Sequence, residues 1–424
     1  FIRPIRWVVA LLGDSIVEFE VAGVKSGALS RGHRRMGADE IAFDHANYEE
    51  RLEKNGVILS AAKRRKRIQD GIKKLTKAAG VQLIPDAALL EDLVYLTEYP
   101  TPILGNFDVK FLDLPQEVLT TVMRFHQRYF TVKDAEGKMA PHFIAIMNMK
   151  ADKKGFVVKG NERVLEARFN DARFFWEVDL QRKLADRVDD LRKVTFQARL
   201  GSYHDKTIGV RDGATRLAAW LKVDIDVVQR AASLCKVDLT TDMVKELTEL
   251  QGIMGGLYAA QQGESPDVAQ AIYDHYLPKS IEDAIPRSIH GQLLSIADKL
   301  DSLEGCFGEG MIPTGSKDPL GLRRAAQGIV KILVEGRLRL NWKKAIEAGV
   351  EANQLVFRKK LPSEGGPDVA AQLKEFMLDR IRYYFRDVKN FTYDEVSAVL
   401  AADPDDLPDL EARLFALRLV RQTE

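Results

Sequence analysis

A histidine, two aspartates and a lysine raise the first chemical question in this sequence. His275 stands in the run DHYLP, Asp298 in SIADKL, and Lys236 and Asp238 in CKVD, just after the apolar run VVQRAASL. Imidazole and carboxylate together can hold a cation that activates water, provided the ligand count and geometry are complete. Lys236 works against that, because a fixed positive charge where a cation must sit repels it. The expectation is that Lys236 pairs with Asp298 and neutralises the charge without catalysis. Another His-Asp pair, His204-Asp205 in YHDK, comes too early in the helical order. The seven histidines, at 33, 45, 126, 142, 204, 275 and 290, include no pair at metal-ligand spacing. No Walker A loop, dinucleotide-binding glycine loop, HExxH or nucleophile elbow is present. Cys235 and Cys306 form no CxxC pair, which argues against a disulfide scaffold and suits a reducing cytosol.

The helical order around His275 and Asp298 resembles that of HD-type phosphohydrolases. Their site needs a His-Asp pair on a helix, a further histidine and a distant aspartate. Lys236, Asp238, His275 and Asp298 therefore stand as degenerate positions of such a site. An HD-type metal-dependent phosphohydrolase or RNA-processing enzyme is the alternative reading. The bland reading is a helical scaffold whose polar groups are hydrogen-bonded or solvated.

A second kind of chemistry is phosphate contact. PTGSKDPLGLRRAA runs from a loop into a helix, with Ser316 or Asp318 as cap and Pro319 in the first turn. Arg323 and Arg324 lie on that first turn and can serve an RNA backbone or internal ion pairs. SRGHRRMG places Arg31, His33, Arg34 and Arg35 in a glycine-flanked turn, and MRFHQRYF interleaves Arg124, His126 and Arg128 with Phe125, Tyr129 and Phe130. Arginine forks beside stacking aromatics suit single-stranded or loop RNA. The ordinary alternative is aromatics inside and arginines outside. AAKRRKRIQDGIKK reads as a solvated helix face.

These groups must be positioned by a long, ordinary soluble chain. It has 424 residues, 46% hydrophobic and 29% charged, with a formal net charge of +1. No global field drives it onto nucleic acid or a membrane, so any footprint is local. The longest apolar runs are too short to span a bilayer. The chain starts at Phe1 inside a strand-like segment, as expected of a trimmed piece. RWVVALL, SIVEFEVAGV and HFIAIMNM read as strands, and YEERLEKNGV as a helix. In SAAKRRKRIQDGIKKLTKAAG, Ile68, Ile72 and Leu75 recur at helical spacing before a glycine stop. TEYPTPILGNFD reads as a Pro/Gly turn segment, and KDAEGK as a hairpin tip. NERVLEARFNDARFFWEVDLQRKLADRVDDLRKV reads as one or two long helices. Ile289, Leu293, Ile296, Leu300, Leu303 and Phe307 form a core-facing stripe, and a second stripe begins at Val369. Gly252, Gly255 and Gly256 sit amid apolar residues, which predicts tight helix packing or an interface. AADPDDLPD marks a linker or helix boundary. The fold class is α+β, multidomain: a mixed region at 1–155, a helical domain at 156–335, and a helical segment at 336–424.

Seven blocks carry a further resemblance: FIRPIRWVVALL, AGVKSGALSRGHR, TVMRFHQRYF, GNERVLEARFNDARFFWEVDL, VTFQARLGSYHDK, KVDLTTDMVKELTELQGIMGGLYA and IADKLDSLEGCFGEGMIPTGSKDPLGLRRAAQGIVKI. In this order they resemble the beta subunit family of bacterial two-subunit glycyl-tRNA synthetases, from Phe1 to about Leu400. The chain departs from the family pattern at ELTELQG, at VDLQRKL and at His204, which makes His204 a poor ligand candidate.

The resemblance implies a B3/B4-like first region, a degenerate HD-like middle and the start of an anticodon-binding region, with further N- and C-terminal parts in the longer family chains. It also implies a tRNA-binding chain that lacks the catalytic site. Glycine, ATP and magnesium belong to a separate alpha subunit, and no cofactor or metal belongs to this chain. The implied partners are that alpha subunit and tRNA(Gly), with no membrane or DNA, in the cytoplasm. Arg31, His33, Arg34, Arg124, His126, Arg128, Arg163, Arg323 and Arg324 are the candidate tRNA contacts. Editing is weakly needed for glycine, because its pocket excludes larger side chains by size.

Overall fold

The computed structural model describes residues 4–315, 318, 320–356 and 368–423. The chain divides into two compact units, Phe1–Phe174 and Phe175–Glu424. Strands concentrate in the first and helices dominate the second, so the α+β class holds.

In the first unit, the two strand-like runs near the N-terminus are realised as short pieces. Val8–Val9 pairs parallel with Val24–Gly27, which pairs antiparallel with Glu20–Val21. Helix α1, Tyr48–Lys54, places Leu52 against Ile41 and Phe43 in a small core. Helix α2, Ala61–Ala79, starts where the Ser60 hydroxyl accepts from the Lys63 N–H at 3.3 Å. It stops at Gly80, whose φ of 68° lies in the left-handed region that a side chain disfavours. Ile68 and Ile72 are buried and Leu75 is half-buried, as the spacing predicts. Helix α3, Ala87–Leu96, is capped by Asp86.

These two helices cover a four-stranded antiparallel sheet. Its spatial order is Gln82–Leu83, Phe130–Lys133, Met139–Asn148, Pro100–Asn106. Lys133 and Met139 flank the hairpin tip anticipated at KDAEGK. The Pro/Gly segment is a correction: Pro100–Asn106 is a strand, paired from Pro100 opposite Asn148 to Asn106 opposite His142. It is an edge strand, where a proline whose N–H side faces away from the sheet breaks no ladder bond. Helix α4, Gln116–Thr121, widens into a π-type turn over Val122–Gln127 and ends at Arg128, with φ at 56°. Helix α5, Phe156–Leu180, is one long helix; the chain beyond it tightens into 3-10 turns over Leu184–Lys193.

The second unit is built on helices α6 (Tyr203–Leu221), α7 (Ile225–Leu234), α8 (Asp242–Glu246), α9 (Ile253–Gln261), α10 (Pro266–Asp274) and α11 (Ile289–Gly308). It continues with α12 (Leu322–Glu335), α13 (Trp342–Val356), α14 (Val369–Tyr383), α15 (Tyr393–Leu400) and α16 (Leu407–Thr423). Helix α11 is the hub, packing against α6, α7, α10, α12, α13 and α14. Its predicted stripe from Leu293 to Phe307 is buried, and so are Leu294, Ala297 and Cys306 on its other faces. A helix enclosed on all sides must also bury its polar residues, and Asp298 and Lys299 are among them. In α14 the buried positions are Leu373, Met377 and Ile381. The predicted boundary at AADPDDLPD joins α15 to α16.

Gly255 and Gly256 let α9 and α10 touch. A Cβ on Gly256 would stand 2.5 Å from the Cβ of Tyr273 and 2.8 Å from the Ala269 carbonyl oxygen. The anticipated helix start of α12 falls partly on Ser316 and Pro319, which lie outside the described residues. Asp318 accepts from the N–H groups of Leu322 and Arg323 at 2.8 and 2.9 Å. The helix starts at Leu322, one residue after Gly321 at φ 67°. Among the described residues no helix is long and apolar enough to cross a membrane.

Candidate functional site

The polar residues singled out around His275 meet at one buried point. The first turn of α6 supplies Lys206. The residue after the C-cap of α7 is Lys236, the C-cap of α10 is His275, and the middle of α11 supplies Asp298. Lys236 and His275 are 0% exposed and Asp298 is 7% exposed. The Lys236 ammonium donates to Asp298 Oδ2 at 2.9 Å and to His275 Nε2 at 3.1 Å, and it lies 3.8 Å from the centre of the Tyr276 ring. His275 Nδ1 lies 2.5 Å from the Ile272 carbonyl oxygen, so Nδ1 carries the proton and Nε2 accepts.

A second ammonium holds the other side of Asp298. Lys206 Nζ stands 3.1 Å from Asp298 Oδ1, 2.9 Å from Asp301 Oδ2 and 2.8 Å from the Ser302 hydroxyl. A third, Lys299, donates to the Leu277 carbonyl at 3.0 Å and to the Ser295 hydroxyl at 2.7 Å. Burial alone pushes the Asp298 carboxyl up, but Lys206 and Lys236 overcome it and hold the group well below the usual carboxylate range. Burial opposes charge on Lys236 as well, and Asp298 outweighs it, keeping the amine charged. His275 is driven far below its usual value by burial and by Lys236, so the imidazole is neutral. Lys299 is buried with less compensation and drops to about 7.

Asp238 does not join this point. Its Oδ2 accepts from the N–H groups of Gly252 and Gly255, at 2.5 and 3.1 Å, around the start of α9. Burial raises its pKa to about 6, against the pull of those two N–H groups. The early His-Asp pair is also elsewhere employed. Asp205 closes a capping box with Ser202 at the head of α6, its Oδ2 accepting the Ser202 N–H at 2.9 Å. Asp274 is gripped by Arg287 through Nε at 3.0 Å and Nη2 at 2.8 Å.

This geometry does not support the phosphohydrolase alternative. The position 2.9 Å from the carboxylate and 3.1 Å from the imidazole is filled by a tethered ammonium. That ammonium neutralises the carboxylate and cannot polarise water as a Lewis acid. Among the described residues no group of three His, Cys, Asp or Glu side chains is placed to hold a metal ion. Sequence reasoning missed Lys206, Asp301 and Lys299. The letters His-Asp in YHDK drew attention one residue short of Lys206, the member that reaches the cluster.

The basic candidates divide into paired and open ones. Arg31 is bound to Asp39, Arg124 to Asp86, and Arg128 to Asp92 at 2.8 Å. His33 is buried, with its backbone N–H donating to the Asn55 carbonyl at 2.9 Å and its Nδ1 accepting from the Arg35 N–H at 3.2 Å. It is a turn-builder and cannot face RNA. Arg323 turns back to the Gly315 carbonyl at 2.8 Å. Arg34, Arg35, His126, Arg163 and Arg324 are exposed. Phe125 is exposed too, beneath the Arg124 guanidinium at 4.5 Å.

A family profile described as glycyl-tRNA synthetase beta subunit matches residues 1–401. Curated relatives named glycine–tRNA ligase beta subunit, from Acidobacterium capsulatum and Geobacter sulfurreducens, are each 44% identical and cover 100% and 98% of this chain. One of the same name from Clostridioides difficile is 41% identical over 98% of the chain. The chain spans 60% of the length of each of these relatives.

Proposed function

Since the chain belongs to the glycyl-tRNA synthetase beta subunit family, we propose that it is a tRNA-holding, non-catalytic part of a glycine–tRNA ligase. The observation that carries this reading is the family match over 1–401, which spans both units. The partner is an alpha subunit that binds glycine, ATP and magnesium and makes the ester bond, and the enzyme works in the cytoplasm. The second unit acts as an HD-like scaffold in which Lys206 and Lys236 replace catalytic metal chemistry with a permanent internal clamp. The exposed arginines Arg34, Arg163 and Arg324 are better placed for tRNA than Arg31, Arg124 or Arg128, whose charge is already met by an acid.

The test is a titration of the chain with glycine-accepting tRNA and an unrelated tRNA at two salt concentrations, beside ATP–pyrophosphate exchange. Salt-sensitive tRNA binding with no exchange activity by the chain alone is expected. Exchange activity by the isolated chain, or no tRNA binding at either salt, would overturn the reading.

A further inference from the structure

We propose that helix α2 is an RNA-backbone contact surface, an inference that rests on the tRNA-binding reading above. The helix contains eight Lys and Arg between Lys63 and Lys77 against one acid, Asp70. The fold satisfies four of the eight. Lys63 pairs with Glu49 at 2.8 Å, Arg65 pairs with Glu91, Arg64 donates to the Val94 and Ile58 carbonyls at 2.7 and 2.6 Å, and Arg67 donates to the Pro100 carbonyl at 2.7 Å. Lys66, Lys73, Lys74 and Lys77 are left exposed, with no acid at ion-pair distance among the described residues.

The four open lysines share one face, which also carries the exposed Asp70, so its net charge is +3. At 3.6 residues per turn they fall within an arc of about 100°, and at 1.5 Å per residue they run along roughly 16 Å of helix. Ile68, Ile72 and Leu75, which pack on the sheet, lie on the opposite side. Beside this face runs an open cleft of about 750 Å³ between α2 and the edge strand, whose walls carry Lys63, Lys66, Arg67 and Lys74 against the two acids Glu53 and Asp70. Gly71 lets Pro102 of that strand close on the helix, since a Cβ there would stand 2.7 Å from the proline ring.

A row of unpaired ammoniums beside a groove complements a row of phosphates. Lysine gives charge without the planar fork that reads bases, so the surface adds affinity and register but no sequence preference. An acidic protein surface is the competing occupant. The chain's net charge of only +1 makes so local an excess the more specific in its placement.

The experiment compares the unaltered chain with one carrying Lys66→Ala, Lys73→Ala, Lys74→Ala and Lys77→Ala. Alanine keeps the helix, and thermal melting verifies the fold. Binding to glycine-accepting tRNA is measured from low to moderate salt. The slope of log affinity against log salt should become shallower by about 0.7 to 0.9 per lost phosphate contact, roughly 3 in all. An unrelated tRNA should lose affinity to the same degree. Arg65→Ala, which removes an already paired charge, should leave the slope unchanged. If the unaltered chain binds tRNA and the four-lysine variant keeps its slope, the inference fails while the tRNA-binding reading stands. Loss of affinity for the alpha subunit with tRNA binding intact would assign the surface to a protein and also overturn it. Absence of tRNA binding by the unaltered chain overturns both.

Discussion

Lys236→Met is the sharpest perturbation of the buried cluster. Methionine keeps the reach of the side chain and removes the ammonium. Two acceptors then lose their donor inside the protein: Asp298 Oδ2, now 2.9 Å from Nζ, and His275 Nε2, now 3.1 Å away. Each stranded acceptor costs about 1 to 3 kcal/mol, the charged one most. Lys206 still holds Asp298 Oδ1 at 3.1 Å, so the carboxylate is not left alone. The sum is about 4 kcal/mol, within the range for breaking one buried ion pair. With a urea m-value of about 2 to 3 kcal/mol per molar, the midpoint falls by roughly 1.3 to 2 M. Tryptophan fluorescence reads the right region, since Trp176, Trp220 and Trp342 lie in the second unit and Trp7 in the first. Adding Asp298→Asn removes the stranded charge, so the double variant should cost about 2 kcal/mol less than the sum of the singles. Acid adds a second readout. The folded pKa of Asp298 is depressed, so the unfolded chain binds the proton first and stability falls as pH drops below about 4. That acid-side loss should shrink in Lys236→Met. A destabilisation under about 1 kcal/mol, or strict additivity with Asp298→Asn, would refute the clamp.

Asp238 titrates in the opposite sense: its folded pKa of about 6 lies above its ordinary value of 3.8, so its contribution is full below pH 4 and lost as pH rises through 6. Asp238→Asn should flatten the urea midpoint between pH 4 and 7, with a swing of about 3 kcal/mol removed. Lys299, lowered to about 7 by burial, binds its proton more weakly folded than unfolded, so the wild-type midpoint rises from pH 7 towards 10 and that rise should vanish in Lys299→Met. Burial lifts the Cys235 thiol to about 12 and the Cys306 thiol to about 11. Both should be inert to Ellman's reagent in the native chain and react on unfolding. Gly256→Ala should destabilise the second unit by about 2 kcal/mol through overpacking, read as a lower melting temperature.

What the sequence discloses here is what is local. The bounds of α2 follow from Ser60, the isoleucine spacing and Gly80, all within 21 residues. The glycines of α9 announce close helix contact because nothing else excuses them in an apolar run. The Lys236–Asp298 pair is visible because an ammonium among ligand-type residues needs a carboxylate. Non-local pairing is invisible by the same logic. Pro100–Asn106 is a strand only because Met139–Asn148 lies beside it, and nothing in its own composition says so. Arg124 and Arg128 have an RNA-like look until Asp86 and Asp92, 38 and 36 residues upstream, claim them. Lys206 reaches Asp298 and Asp301 across 92 and 95 residues, a distance over which periodicity carries no information.

The cluster also illustrates how a polar core can persist through its own mutual pairing. Well-packed apolar residues of similar volume can match or exceed the stability of a buried ion pair, while removal of one partner alone is costly. Asp298 answers to both Lys206 and Lys236, Lys236 to both Asp298 and His275, and Lys206 to both Asp298 and Asp301. A single replacement at Lys206, Lys236 or Asp298 therefore leaves a neighbour short of a partner, and the apolar solution lies several simultaneous changes away. The arrangement ties the starts and ends of α6, α7 and α10 to the middle of α11. A well-defined second unit therefore depends on these charges staying matched, whatever first placed a histidine and an aspartate there.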